Sequence, residues 1–366
     1  MTSSRLPPPV PPGGTIGILG GGQLGRMLAL AAARLGLRTH IYSDTADAPA
    51  FQVCDRLTIA PYDDRIALAT FADCCDAVTY EFENVPAEAA KLLSEHKPTN
   101  PNSHALAIAQ DRLVEKTFIR ELGHSTAPFA PVESTDDARN AFAQLGGKPA
   151  VLKTRRMGYD GKGQEIVHHA DDAAAAFERL HKTACILEGF VEFTFEASVI
   201  GARAVDGSFA AYDPPENIHQ HHILKRSIVP ARLSPVQTEA AKAIAKSIAD
   251  ALDYVGVLGV ELFVARDGTL LVNEIAPRVH NSGHWTLEAC LVSQFEQHVR
   301  AVAGWPLGDA TRHSDAVMEN IIGDEAADWQ KLAAGGGALH LYGKSEIRDG
   351  RKMGHITRLS PKSSTD

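Results

Sequence analysis

Cysteine is sparse in this sequence. Cys54, Cys74, Cys75, Cys185 and Cys290 are odd in number, scattered and form no CxxC pair. That argues against a disulfide framework and suits buried thiols in a reducing, cytoplasmic compartment. Long apolar runs are also missing. The most apolar N-terminal stretch, Thr15 to Leu37, is interrupted by Gln23 and Arg26 and follows a proline-rich leader rather than a basic signal start, so neither a membrane segment nor a secretion signal is expected. Positive charge is not in excess: the formal net charge is -9, which argues against a broad nucleic-acid or acidic-membrane surface but leaves room for a local phosphate pocket. There is no HExxH motif, no Walker A loop and no internal repeat.

What is present is an ordinary globular composition, 44% hydrophobic and 22% charged, over 366 residues. This is enough chain for two or three packed domains with a cleft between them. Residues 1–13, carrying Pro7, Pro8, Pro9, Pro11 and Pro12, read as a disordered leader. The next ninety residues alternate short β-like and helical runs, the pattern of a parallel sheet flanked by helices. A turn-rich break from Pro98 to Ser103 closes that unit, and a helix N-capped by Asp111 follows. From about Ala127 to Val191 short strands surround a glycine-rich loop. Beyond it, alternating apolar and polar residues from Phe193 to Val199 open a mixed sheet.

Five regions carry candidate chemistry. Gly20, Gly22 and Gly25 form a GxGxxG after a strand and at the start of a helix, with Asp44 about twenty residues on. This is a dinucleotide fingerprint by rule, although its physics accepts any phosphate or carboxylate at a helix N-terminus. Lys153 ends an apolar run five residues before Gly158-Tyr159-Asp160-Gly161-Lys162-Gly163. A strand-borne ammonium beside a flexible loop suits nucleotide phosphates, and a plain surface hairpin fits the same pattern. Asp267-Gly268 is a two-residue hairpin signal. Counting outward from it pairs Ala265 with Leu270 and Glu261 with Glu274. Two carboxylates facing each other call for a cation, and oxygen donors of this kind suit Mg²⁺ bridging phosphates. The segment Arg278-Val279-His280-Asn281-Ser282-Gly283-His284 then adds polar and basic groups just past that strand. Lys344 and Arg351 supply a second basic cluster fit for a phosphate monoester.

Seven stretches in order resemble the 5-(carboxyamino)imidazole ribonucleotide synthase family of the ATP-grasp superfamily. They are Gly20 to Arg26, Glu81 to Asn84, Gln110 to Arg112, Tyr159 to Gln164, Asn273 to Arg278, His280 to His284 and Gly350 to His355, spanning about Thr15 to Leu359. The resemblance implies an α/β and α+β fold: a Rossmann-like parallel-sheet domain over 14–105, a linker helix with a mobile lid over 106–191, and a mixed-sheet domain over 192–366. It implies that ATP meets Arg112, Lys153, the loop Gly158, Tyr159, Asp160, Gly161, Lys162, Gly163 and Gln164, the backbone of Glu188, Gly189, Phe190 and Val191, and also Glu196, His219, Asn273 and Glu274. Mg²⁺ would sit on Glu261 and Glu274. Aminoimidazole ribonucleotide would meet Gln23, Leu24, Glu83, Tyr159, Arg278, His280, Lys344 and Arg351, which moves the glycine fingerprint from a dinucleotide to this substrate. Bicarbonate is the third substrate, and Arg278, His280, Lys153 and Lys344 form the catalytic set. A cytoplasmic homodimer is implied, with no nucleic-acid or membrane partner. The competing readings are a formate-dependent glycinamide ribonucleotide transformylase, a nicotinamide-dependent dehydrogenase and a nucleotide-binding regulator without turnover.

Overall fold

The structure, a computed structural model, describes residues 7–158 and 161–363. Tyr159 and Asp160, both expected at the nucleotide, lie outside the described residues.

Strands β1 (Thr15–Leu19), β2 (Arg38–Ser43), β3 (Arg56–Ile59) and β4 (Ala77–Tyr80) form a parallel sheet in the order β3-β2-β1-β4. The apolar runs of β1 and β4 are almost wholly buried, as expected where helices cover both faces. The covering helices are α1 (Gln23–Arg34), α2 (Arg65–Asp73) and α3 (Ala87–His96). Helices α4 (Ser103–Ala109) and α5 (Arg112–Glu121) lead out of this unit. Asp111 caps α5 by accepting from the Leu113 and Val114 amides.

The leader is not free from Pro7 onward. Val10 is buried, its amide donates to Ala303 O at 2.8 Å, and Trp305 Nε1 donates to its carbonyl at 2.7 Å. Polyproline geometry exposes backbone groups, and here they find partners and seat one apolar side chain.

A small four-stranded antiparallel sheet, order β5-β8-β6-β7, follows: β5 (Phe129–Val132), β6 (Ala150–Thr154), β7 (Gln164–Val167) and β8 (Cys185–Gly189), backed by α6 (Thr135–Gln144) and α7 (Ala170–Arg179). The largest sheet contains β9 (Phe193–Arg203), β10 (Phe209–Ala211), β11 (Glu216–Gln220), β12 (Ile223–Val229), β13 (Gly256–Ala265), β14 (Leu270–Ala276), β15 (Ser314–Ile322), β16 (Ala338–Leu341) and β17 (Lys352–Pro361). Every strand pairing in it is antiparallel, where the sequence pattern suggested a mixed sheet. Its inner faces pack on α8 (Pro235–Ala251), the short α9 (Thr286–Ala289) and α10 (Gln294–Val302).

The hairpin β13–β14 corrects the sequence count. Ala265 faces Thr269 across a three-residue loop in which Gly268 has φ +86°, so Val264, Phe263 and Leu262 pair with Leu270, Leu271 and Val272. A bulge then gives β14 one extra residue, Asn273, and restores Glu261 opposite Glu274. The carboxylates face each other as expected, but through two offsets that cancel.

Hairpin β11–β12 turns through His221 and His222, at φ 50° and 64°. This is the conformation that Asn-Gly adopts readily and that a branched side chain resists. The double substitution His221→Asn/His222→Gly is expected to stabilise the fold by about 1 kcal/mol. Chemical denaturation would read this as a higher midpoint at constant slope.

Candidate active site

The three units converge on α5 and the β13–β14 hairpin. Arg112, at the first position of α5, donates to Glu274 Oε2 at 3.0 Å and to Gly158 O at 3.2 Å, tying the carboxylate hairpin to the glycine loop of the small sheet. Lys153 on β6 reaches Glu188 Oε2 on β8 at 3.0 Å. Burial pushes the Glu188 carboxyl up, but Lys153, Lys116 and Arg112 outweigh it and hold it down at about 2. Glu196 on β9 pairs with His219 on β11. Burial disfavours the His219 imidazolium, yet its hydrogen bond to the Glu196 carboxylate raises its pKa on balance. Glu261 receives His280 Nε2 at 3.1 Å. Burial raises its carboxyl, and His280 with His219 and Arg278 lowers it further than burial lifts it.

Arg278 lies where the units meet. It pairs with Glu83 of the parallel-sheet unit, and the Glu274 and Glu81 carboxylates add to the negative field around it. Burial pushes Glu83 up while Arg278 holds it at about 2. Glu81 also lines a cavity of about 280 Å³, together with Gly21, Gly22, Gln23, Lys344 and Arg351. Lys344 and Arg351, distant in sequence from the glycines, thus share one pocket with them.

The glycine fingerprint reads differently in three dimensions. Gly22 N donates to Glu81 Oε1 and Gly25 N to Glu81 Oε2 at 2.6 Å, so the N-terminus of α1 already holds a carboxylate from the end of β4. A Cβ at Gly20 would come within 2.3 Å of Glu81 Cγ, and one at Gly22 within 2.6 Å of its Oε1. These glycines make room for an internal anion rather than a pyrophosphate. The loop still borders the cavity through Gly21, Gly22 and Gln23. Leu24 instead turns its side chain into the core, so only its backbone is available to a ligand.

Other expected residues stand as follows. Asn273 is the bulged residue, and its side-chain oxygen is buried with no partner, as is Glu188 Oε1. The amides of Gly189 and Phe190 donate to Pro128 O and Pro149 O, so backbone recognition there falls to other groups of Glu188 to Val191. Gly161 and Gly163 have φ +79° and +71°, and a Cβ on Gly161 would strike His222 at 2.6 Å. Gln164 Nε2 is 3.4 Å from His222 Nδ1. Lys162 stands on the same loop.

Two buried residues escaped the sequence reading. Glu115 accepts from Ile275 N at 2.6 Å, and Lys116 donates to Asn273 O at 2.9 Å and lies 3.4 Å from Glu188 Oε2. They grip the backbone on both sides of Glu274, where the bulge interrupts the hairpin ladder. Lys116 follows Arg112 by four residues and so shares its helix face, which was the available signal.

Among the described residues, no group of three or more His, Cys, Asp or Glu is arranged to hold a metal ion, and no helix is long and apolar enough to cross a membrane. The facing pair Glu261 and Glu274 nonetheless suits Mg²⁺, which takes one or two carboxylates and completes its shell with phosphate oxygens and water.

A glycine loop and a strand lysine on one sheet, tied through Arg112 to two carboxylates on adjacent strands of another, define an ATP-grasp enzyme, and the ATP-grasp domain model matches residues 117–295. The ribonucleotide synthetase preATP-grasp domain matches 14–110, and the phosphoribosylaminoimidazole carboxylase C-terminal domain matches 316–365. An N5-carboxyaminoimidazole ribonucleotide synthase of Brucella melitensis is 54% identical over 96% of this chain and 98% of its own length. The crystal structure of the ADP complex of an N5-carboxyaminoimidazole ribonucleotide synthetase superposes with a TM-score of 0.93 at 42% identity, covering 97% of this chain and 94% of that one. The Aspergillus clavatus synthase in complex with ADP and 5-aminoimidazole ribonucleotide gives 0.89 at 31% identity, covering 96% and 95%. The chain belongs to the N5-carboxyaminoimidazole ribonucleotide synthase family.

Proposed function

We propose that this protein uses ATP to join bicarbonate to the exocyclic amine of aminoimidazole ribonucleotide. The products are 5-(carboxyamino)imidazole ribonucleotide, ADP and phosphate, in purine biosynthesis. The observation that carries this reading is the placement of Arg278 between two anion sites. On one side are Lys153, Arg112 and the paired carboxylates, and on the other is the cavity with Lys344 and Arg351. The ATP assignment draws support from the ADP-bound relatives, and the acceptor assignment from the relative holding both ADP and the ribonucleotide.

In the proposed sequence a bicarbonate oxygen attacks the γ-phosphorus, the bond to ADP breaks, and carboxyphosphate forms. The amine nitrogen then bonds to the carboxyl carbon while phosphate leaves and the amine gives up a proton. Arg112 and Lys153 hold the nucleotide phosphates, and Glu196 and His219 the ribose. Arg278 places bicarbonate, His280 donates a hydrogen bond from Nε2 beside the carboxylate pair, the departing phosphate carries away the amine's proton, and Lys344 and Arg351 hold the acceptor's 5′-phosphate. Mg²⁺ on Glu261 and Glu274 would neutralise charge on the transferring group. We further place the enzyme in the cytoplasm as a homodimer, a state that light scattering would measure.

Formate is the donor that would distinguish a transformylase. ADP release should require both the ribonucleotide and bicarbonate and be unaffected by formate; formate-driven release would reverse the assignment. The dehydrogenase reading loses its support because Glu81 fills the site a dinucleotide would need.

The two anion sites should fail separately. Arg351→Ala is expected to raise KM for the ribonucleotide roughly ten- to a hundredfold, given about 1.5 to 3 kcal/mol for a hydrogen bond to a charged group, with KM for ATP little changed. Initial rates with each substrate varied in turn check this.

A further inference from the structure

Behind His280 runs a chain of buried side chains drawn from three strands. His280 Nδ1 is 2.8 Å from Ser282 Oγ, which is 2.7 Å from Ser198 Oγ on β9. Asn217 Nδ2 on β11 donates to Ser198 Oγ at 2.9 Å, and Ser227 Oγ on β12 donates to Asn217 Oδ1 at 2.8 Å. Ser198, Ser227 and Ser282 have no exposed surface, and Asn217 is 5% exposed. Asn217 and Ser227 are directly opposed across the β11–β12 ladder, so strand register places two of the links.

Donors and acceptors at the two ends of the chain agree on one direction. Asn217 offers an amide N–H to Ser198 and takes the Ser227 hydroxyl on its oxygen. Ser198 therefore has its own proton available for Ser282, and Ser282 has its proton available for His280. At the other end the Ser282 backbone amide, which can only donate, points to His280 Nδ1 at 3.4 Å. The serine chain fits, and the Ser282 amide and the Glu261 carboxylate favour, a lone pair on Nδ1 and the imidazole proton on Nε2, where it faces Glu261 at 3.1 Å. The ring is also held by packing: a Cβ at Gly259 would meet His280 Cβ at 2.9 Å.

We propose that Ser227, Asn217, Ser198 and Ser282 are positioning residues that hold His280 as an Nε2–H donor turned toward the carboxylate pair. In that tautomer Nε2 acts only as a hydrogen-bond donor, because the ring's one lone pair, on Nδ1, is committed to the buried chain. Its kinetic part rests on the carboxylase reading above; its tautomer part does not. Ring-¹⁵N-labelled histidine spectra, assigned by comparison with His280→Gln, report the tautomer directly. The wild type should show a non-protonated Nδ1 and a protonated Nε2 at His280. Ser198→Ala and Ser282→Ala should give mixed tautomers and lower kcat about tenfold, near the worth of one buried hydrogen bond, with both KM values within twofold of wild type. Ser198→Thr, which keeps the hydroxyl, should restore both. A wild-type ring protonated at Nδ1, or at both nitrogens, overturns the proposal whether or not the variants fold. So does a folded Ser198→Ala protein with unchanged tautomer and kcat. If bicarbonate-dependent turnover is absent altogether, the function is misread, while the wild-type spectrum still decides the tautomer.

Discussion

Glu274→Gln is expected to cut ATP turnover by about a hundred- to a thousandfold, the range seen when one preorganised electrostatic contact to a transferring group is lost. The amide keeps the size of the side chain but removes the charge that faces Glu261 and receives Arg112. Glu274 is the better probe of the pair. Its side chain is 38% exposed, whereas Glu261 is 17% exposed and carries His280, so neutralising Glu261 would disturb the ring as well. The loss should appear in kcat, with an unchanged circular dichroism spectrum and a raised Mg²⁺ requirement. Turnover within threefold of wild type at ordinary Mg²⁺ would remove the carboxylate hairpin from the mechanism.

Arg278→Met should be at least as damaging, by about a thousandfold in ribonucleotide-dependent turnover, because the proposed mechanism has this one guanidinium serve both anion sites. The variant also strands Glu83, a half-buried carboxylate held ionised by that guanidinium. Breaking a fully buried pair costs about 3 to 5 kcal/mol, and this part-exposed one costs less. Adding Glu83→Gln removes the stranded charge, so the double variant should regain much of the thermal stability and none of the turnover. Recovery of both together would make Arg278 a purely structural residue.

The sequence was most legible where a local pattern sets the geometry. Asp111 caps its helix as composition suggests, and β1 followed by α1 forms where glycines separate an apolar run from a helical one. The facing of Glu261 and Glu274 was reached by counting, yet the count assumed a two-residue turn and a regular ladder. A three-residue loop and the Asn273 bulge shift the register in opposite directions. Neither offset has a signature that hairpin rules distinguish from the simpler turn. Groups that act at a distance were illegible for a different reason. Glu81 completes the glycine loop from 56 residues away, Lys116 reaches Asn273 across 157, and Ser198 meets Ser282 across 84. A carboxylate, a lysine and a serine read as solvated residues until the topology brings the strands together. Lys344 and Arg351 read as a basic cluster fit for a phosphate, but nothing local linked them to Gly21 and Gln23, with which they line one cavity.

The central claim is that a new carbon–nitrogen bond forms at the exocyclic amine of the ribonucleotide, with its carbon drawn from bicarbonate. Turnover with ¹³C-bicarbonate and aminoimidazole ribonucleotide labelled with ¹⁵N at that amine, followed by NMR at a pH that preserves the product, tests it in one spectrum. The account predicts a carboxyl ¹³C signal split by a directly bonded ¹⁵N, growing in step with ADP. A ¹³C carboxyl with no one-bond nitrogen coupling, or ADP formed with no ¹³C entering the ribonucleotide, would contradict it.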